Sequence, residues 1–78
     1  MSYPDKINFL ELFGNQIKTL RNEKKLSLRE LAQLCDIDYS DISKIEKGKR
    51  NIQMTTIVEL AKGLQVHPQE LFNFKIEE

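Results

Sequence analysis

"SLRELAQLCDIDYSDISKIEKGKR", residues 27–50, decides the fold of this chain. Ser27 followed by Glu30 has capping-box spacing, in which hydroxyl and carboxylate each accept an orphan backbone N–H at a helix start. A helix therefore begins at Leu28 and runs to about Cys35, burying Leu31, Ala32 and Cys35. Asp36, Ile37 and Asp38 form a turn, and Asp38 is a good N-cap for a following helix whose inner face is Ile42 and Ile45. Gly48 is a natural left-handed stop for it. Two short helices joined by a turn of three or four residues have the dimensions of a helix-turn-helix unit, whose second helix fits the DNA major groove. Helix pairs of this kind also occur without DNA binding, so spacing alone leaves both readings open.

Working outward, every period is helical. Leu10, Phe13, Ile17 and Leu20 recur at three and four residues and predict a first helix reaching about Lys24, with residues 1–8, which include Pro4, as a lead-in. After a polar loop over residues 49–53, a fourth helix carries Ile57, Leu60, Ala61 and Leu64. A fifth starts at Pro68, whose missing N–H costs nothing in a first turn, and buries Leu71 and Phe72. No strand-like alternation, repeat or low-complexity tract is present. The prediction is an all-α bundle of about five short helices, with its domain over residues 9–73 and a tail over residues 74–78.

Composition narrows the function. The 78 residues allow one small core, on the order of 3–5 kcal/mol, and such a domain gains stability from a second copy of itself. No apolar run approaches the roughly 18 residues that span a bilayer. Residues 1–6 do not read as a signal peptide, so a cytoplasmic location and no membrane partner are expected. His67 has no companion ligands and reads as a surface cap, which leaves no metal site. Lone Cys35 reads as a buried apolar residue. Without a Gly-rich phosphate loop, a carboxylate pair or a nucleophile beside a base, neither an enzyme, a cofactor nor a small-molecule ligand is indicated. The net charge of zero hides segregation: residues 18–50 hold nine cations against six anions, a net +3, and the remainder three against six, a net −3. A local basic region is the footprint expected of a nucleic-acid face.

Three blocks then carry a family resemblance: "LSLRELA", "ISKIEKGKR" and "LAKGLQV". In register over residues 13–72, they resemble the Cro and phage-repressor (XRE-type) helix-turn-helix family. The resemblance implies a lambda-repressor-like fold and a regulator of transcription, a repressor or controller protein, that reads double-stranded DNA. It implies base-facing positions at Tyr39, Ser40, Ser43 and Lys44, with Lys44 able to donate to guanine O6 and N7. Phosphate contacts are expected from the backbone N–H groups near Leu28 and Arg29, at a helix N-terminus, and from Lys49, Arg50 and Asn51. Arg21 and Glu46 match a family pair that forms a partly buried salt bridge between the first and third helices. The alternatives are a protein-interaction module that keeps the fold, or the DNA-binding antitoxin of a toxin pair.

Several positions depart from the family pattern. Leu28 stands where a phosphate-binding Gln is usual, and Lys25 where a Gly ends the first helix. Ile52 replaces a Pro. Asp36 replaces the turn Gly, as a residue that tolerates the left-handed conformation better than most. Asp41 has no family counterpart, and could accept from cytosine N4 or repel phosphate. Two-fold operator logic implies a homodimer on a palindromic site. Phe72, Phe74 and Ile76 exceed what one small core requires, and are the expected interface.

Overall fold

Asp5 starts the first helix: its side chain accepts from the Asn8 N–H at 2.8 Å, an N-cap immediately after Pro4. The computed structural model describes residues 2–76. In it α1 spans Lys6–Glu23, α2 Leu28–Leu34, α3 Tyr39–Glu46 and α4 Met54–Leu64, followed by a 3-10 turn over Pro68–Phe72; no strand occurs among the described residues. The lead-in is thus shorter than residues 1–8, because the Asp5 cap organises a first turn that lies ahead of the buried stripe, with Ile7 facing solvent.

The predicted periods set the core. Phe13, Ile17 and Leu20 of α1 meet Leu31 of α2, Ile42 and Ile45 of α3, Leu60, Ala61 and Leu64 of α4, and Leu71. Six of these side chains (Ile17, Leu31, Ile42, Leu60, Leu64 and Leu71) are less than 2% exposed. Each such burial contributes about 1.5–3 kcal/mol. Because Ile42 is among them, α3 is anchored from below and its outer face is left to solvent. Two hydrogen bonds tie the periphery to this frame: Gln16 Nε2 donates to the Glu70 carbonyl at 2.8 Å, and the Asp36 N–H donates to Glu59 Oε1 at 2.9 Å.

The last element differs from the expected helix. It is a single 3-10 turn that buries Leu71 but leaves Phe72 43% exposed, its ring tilted on Phe13 at 5.2 Å between centroids. Five residues cannot wrap both adjacent side chains inward. The left-handed residues also differ from expectation. Lys25 (φ 59°) takes that conformation where the family has glycine, and Gln65 (φ 56°) takes it at the end of α4. Asp36 does not; its N–H is held by Glu59 in a turn of ordinary backbone.

Candidate nucleic-acid interface

Three local devices build the surface. The first is the capping box at α2: the Glu30 N–H donates to Ser27 Oγ at 3.0 Å and the Ser27 N–H to Glu30 Oε1 at 2.8 Å. Those bonds hold the Glu30 carboxyl below its usual range. They also use up two orphan donors, whereas the N–H groups of Leu28 and Arg29 find no backbone acceptor among the described residues. These are the amides expected to face phosphate, at the positive end of the helix. The Leu28 side chain turns inward against the core and offers no contact of its own.

The second device is the start of α3. Asp38 Oδ2 accepts from the Ser40 N–H at 3.1 Å and from the Ser40 hydroxyl, and these bonds, helped by nearby Arg29 and Lys44, hold the Asp38 carboxyl low. Sequence reasoning assigned the Asp38 cap correctly but missed that it also engages the Ser40 hydroxyl. Tyr39 is 40% exposed, Ser40 and Lys44 are exposed, and Ser43 is half-buried on the same short helix. The structure therefore brings together the four expected base-reading positions.

The third device is the loop after α3. Gly48, at φ 75°, ends the helix, and a Cβ there would meet Glu11 Cγ at 2.6 Å and Cα at 2.8 Å, so the chain turns tightly against α1. Lys49, Arg50 and Asn51 follow, all exposed. Arg50 Nη2 lies 3.8 Å from Asp41 Oδ1, both side chains about half exposed, a weak surface pair that links loop and recognition helix. Asp41, which has no family counterpart, thus has a neighbouring cation. Asn51 also backs onto Phe9 and Leu10 along a shallow cleft.

Behind this surface Arg21 grips Glu46 with two bonds, Nε to Oε2 at 2.7 Å and Nη2 to Oε1 at 3.0 Å, while Nη1 donates to the Leu26 carbonyl at 2.8 Å. The bonds to Glu46 raise the Arg21 pKa above its ordinary value against the opposing effect of burial. His67 caps the 3-10 turn, its Nδ1 accepting from the Gln69 N–H at 3.3 Å. Cys35 is half-buried against the core, and its thiol donates to the Leu31 carbonyl at 3.2 Å; burial pushes its pKa up. Of the expected interface residues, Phe74 packs edge-on against Phe9 with centroids 5.6 Å apart, and Ile76 lies half-buried beside Tyr3, Pro4 and Leu12. Phe72 keeps an open face. Among the described residues no cluster of side chains suits a metal, and no helix is long and apolar enough to cross a membrane.

Comparison with known proteins gives one consistent neighbourhood. A family model described as "Helix-turn-helix" matches residues 17–71. Control protein C.BamHI of Bacillus amyloliquefaciens is 37% identical over 68 residues, covering 86% of this chain and 84% of its own. The crystal structure of the restriction-modification controller protein C.AhdI from Aeromonas hydrophila superposes with a TM-score of 0.81 at 38% identity, over 83% of this chain and 98% of that one. The controller protein C.Esp1396I, solved as a tetramer in complex with its natural 35 base-pair operator, matches with a TM-score of 0.75 at 32% identity, over 81% of this chain and 83% of that one.

Proposed function

Because the chain belongs to the XRE-type helix-turn-helix family, we propose that it is a sequence-specific regulator of transcription, of the controller-protein kind, that places α3 in the major groove of double-stranded DNA as a homodimer. The observation that carries this is the similarity over 81% of the chain to a controller whose structure is that of a tetramer on its operator. In this reading Tyr39, Ser40, Ser43 and Lys44 read base edges. The amides of Leu28 and Arg29, with Lys49, Arg50 and Asn51, hold phosphates on either side. The first group gives specificity and the second gives register and affinity.

Retardation of random and selected duplexes across salt tests it. Each phosphate neutralised contributes a slope of about −0.9 in log affinity against log salt, so binding through several cations weakens steeply. Selected sites should be two-fold, with half-sites one helical turn, about 34 Å, apart. No shift even at low salt overturns the reading in favour of an interaction module.

The dimer surface we place on α4 and the 3-10 turn. Met54 and Val58, 77% and 58% exposed, lie four residues apart on one face, and Ile57 beside them lines a shared cleft with Phe72. Exposed apolar side chains grouped on one helix face of so small a protein mark an interaction site. Phe72 is the expected interface residue on that side, through Ile57; Phe74, edge-on to Phe9, and Ile76, beside Tyr3 and Pro4, lie against α1 and the residues before it instead. Val58→Glu should lower the dimer fraction in sedimentation while shifting monomer stability by no more than about 0.5 kcal/mol. An unchanged mass would move the interface elsewhere.

A further inference from the structure

One contact between α2 and α3 lies outside the core and on the exposed side of both helices. The guanidinium carbon of Arg29, second residue of α2, stands 4.3 Å from the centroid of the Tyr39 ring, first residue of α3. Arg29 is exposed and Tyr39 is 40% exposed, so neither is there to fill space. A cation held over a ring face at this distance is attracted by the ring's quadrupole. Asp38, the cap that fixes the start of α3, lies nearby: the two bonds from Ser40 hold its carboxyl low, and the charge of Arg29 adds to them. The ring face is therefore the contact that positions the guanidinium.

The geometry bears on which DNA atoms Arg29 can take. A phosphate contact needs charge but no particular plane, and a lysine serves it as well. A guanidinium stacked flat on a ring has all five N–H groups in one plane, directed outward from the stack. That is the arrangement suited to the paired acceptors O6 and N7 of guanine. Stacking also removes freedom from the long Arg29 side chain before binding, so less is lost when the fork meets its base. Leu28 offers no polar side chain, so at the start of α2 the side-chain donors come from Arg29. Tyr39 occupies the first turn of the recognition helix, the part that approaches base edges.

We propose that Arg29 and Tyr39 form one reading unit, in which the Tyr39 ring holds the Arg29 fork in the plane that donates to O6 and N7 of a guanine. The Arg29 side chain is then a base-specificity determinant, while its backbone amide keeps the phosphate assigned above, and Tyr39 is the positioning residue of that side chain. The inference rests on the DNA-binding reading above and adds to it a named base class and a coupling between two helices.

The test uses the full chain and the duplex that wild type selects from random DNA, together with duplexes changed at each position in turn. Arg29→Lys keeps the charge and loses the fork; Tyr39→Leu keeps apolar bulk and loses the ring face; Tyr39→Phe keeps the face. Arg29→Lys should flatten the preference for guanine at one base pair per half-site by about 5- to 150-fold, the range of one good base contact, with the salt slope unchanged. Tyr39→Leu should flatten the same position, and Tyr39→Phe should restore it. The double variant Arg29→Lys/Tyr39→Leu should lose no more there than the larger single loss, as coupled residues do. If Arg29→Lys keeps every base preference while Arg29→Ala weakens all duplexes alike and lowers the salt slope by about one per protomer, the Arg29 side chain is a phosphate contact and the proposal falls. It falls equally if Tyr39→Leu leaves the Arg29-dependent position untouched. A wild-type chain that retards no duplex overturns the DNA-binding reading itself, and this inference with it.

Discussion

Gly14→Ala should lower the melting temperature by on the order of 10–25 °C, although alanine is the better helix former by about 1 kcal/mol. On an open helix face the substitution would stabilise. Here Gly14 is buried in α1, and an added Cβ would lie 2.2 Å from the Ile45 carbonyl oxygen, 2.6 Å from that of Glu46 and 2.8 Å from the Glu46 carbonyl carbon. All three are backbone atoms, so no rotamer change relieves the clash and α1 must move away from α3. Overpacking ordinarily costs about 1–3 kcal/mol, and a backbone obstacle places this site at the top of that range or above it. For a small domain holding only about 3–5 kcal/mol that is most of the stability. The carbonyls concerned end the recognition helix, so the displaced element is the one that would enter the groove. Thermal unfolding followed by circular dichroism reads the result. A melting temperature at or above wild type would show that α1 and α3 do not approach as described.

Features of the site that are local in sequence were legible there, and features that depend on distant pairing were not. The Ser27–Glu30 box, the Asp38 cap and the Gly48 stop each lie within a few residues, and each is present as read. The Arg21–Glu46 pair, 25 residues apart, was reachable only through the family resemblance, since nothing local joins those positions. Gly14 carried a signal that went unused: a glycine inside a strongly periodic helix is costly unless another backbone comes close. Asp36 was misread because a turn glycine suggested a left-handed residue, whereas the bond from its N–H to Glu59 supplies the constraint in a different way. Phe72 was misread because helical spacing was carried into a segment only one turn long. The stacking of Arg29 on Tyr39 has no sequence signature, because it depends on how α2 and α3 cross.

Glu46→Ala should be the most destabilising change on the polar side of the molecule, and should leave DNA recognition intact in whatever protein stays folded. Glu46 receives both prongs of the Arg21 fork, and the two side chains are only 6% and 11% exposed. Removing the carboxylate strands a guanidinium between α1 and α3 with the Leu26 carbonyl as its remaining partner. Breaking a buried pair in this way costs about 3–5 kcal/mol, and the residual exposure and the bond to Leu26 reduce that to about 2–4 kcal/mol. At about 4–8 °C per kcal/mol for a domain of this size, the melting temperature falls by on the order of 10–30 °C. Arg21→Met/Glu46→Leu, which removes both charges and keeps the volume, should recover much of the loss, since the penalty lies in the unpaired charge more than in the missing attraction. The loss in Glu46→Ala should also persist in high salt, unlike that of an exposed pair such as Lys62–Glu59. A structural residue predicts that operator affinity, measured below the transition, matches wild type. Weaker binding by fully folded Glu46→Ala, or a double variant no more stable than the single, would assign Glu46 a part in recognition that its burial behind α3 argues against.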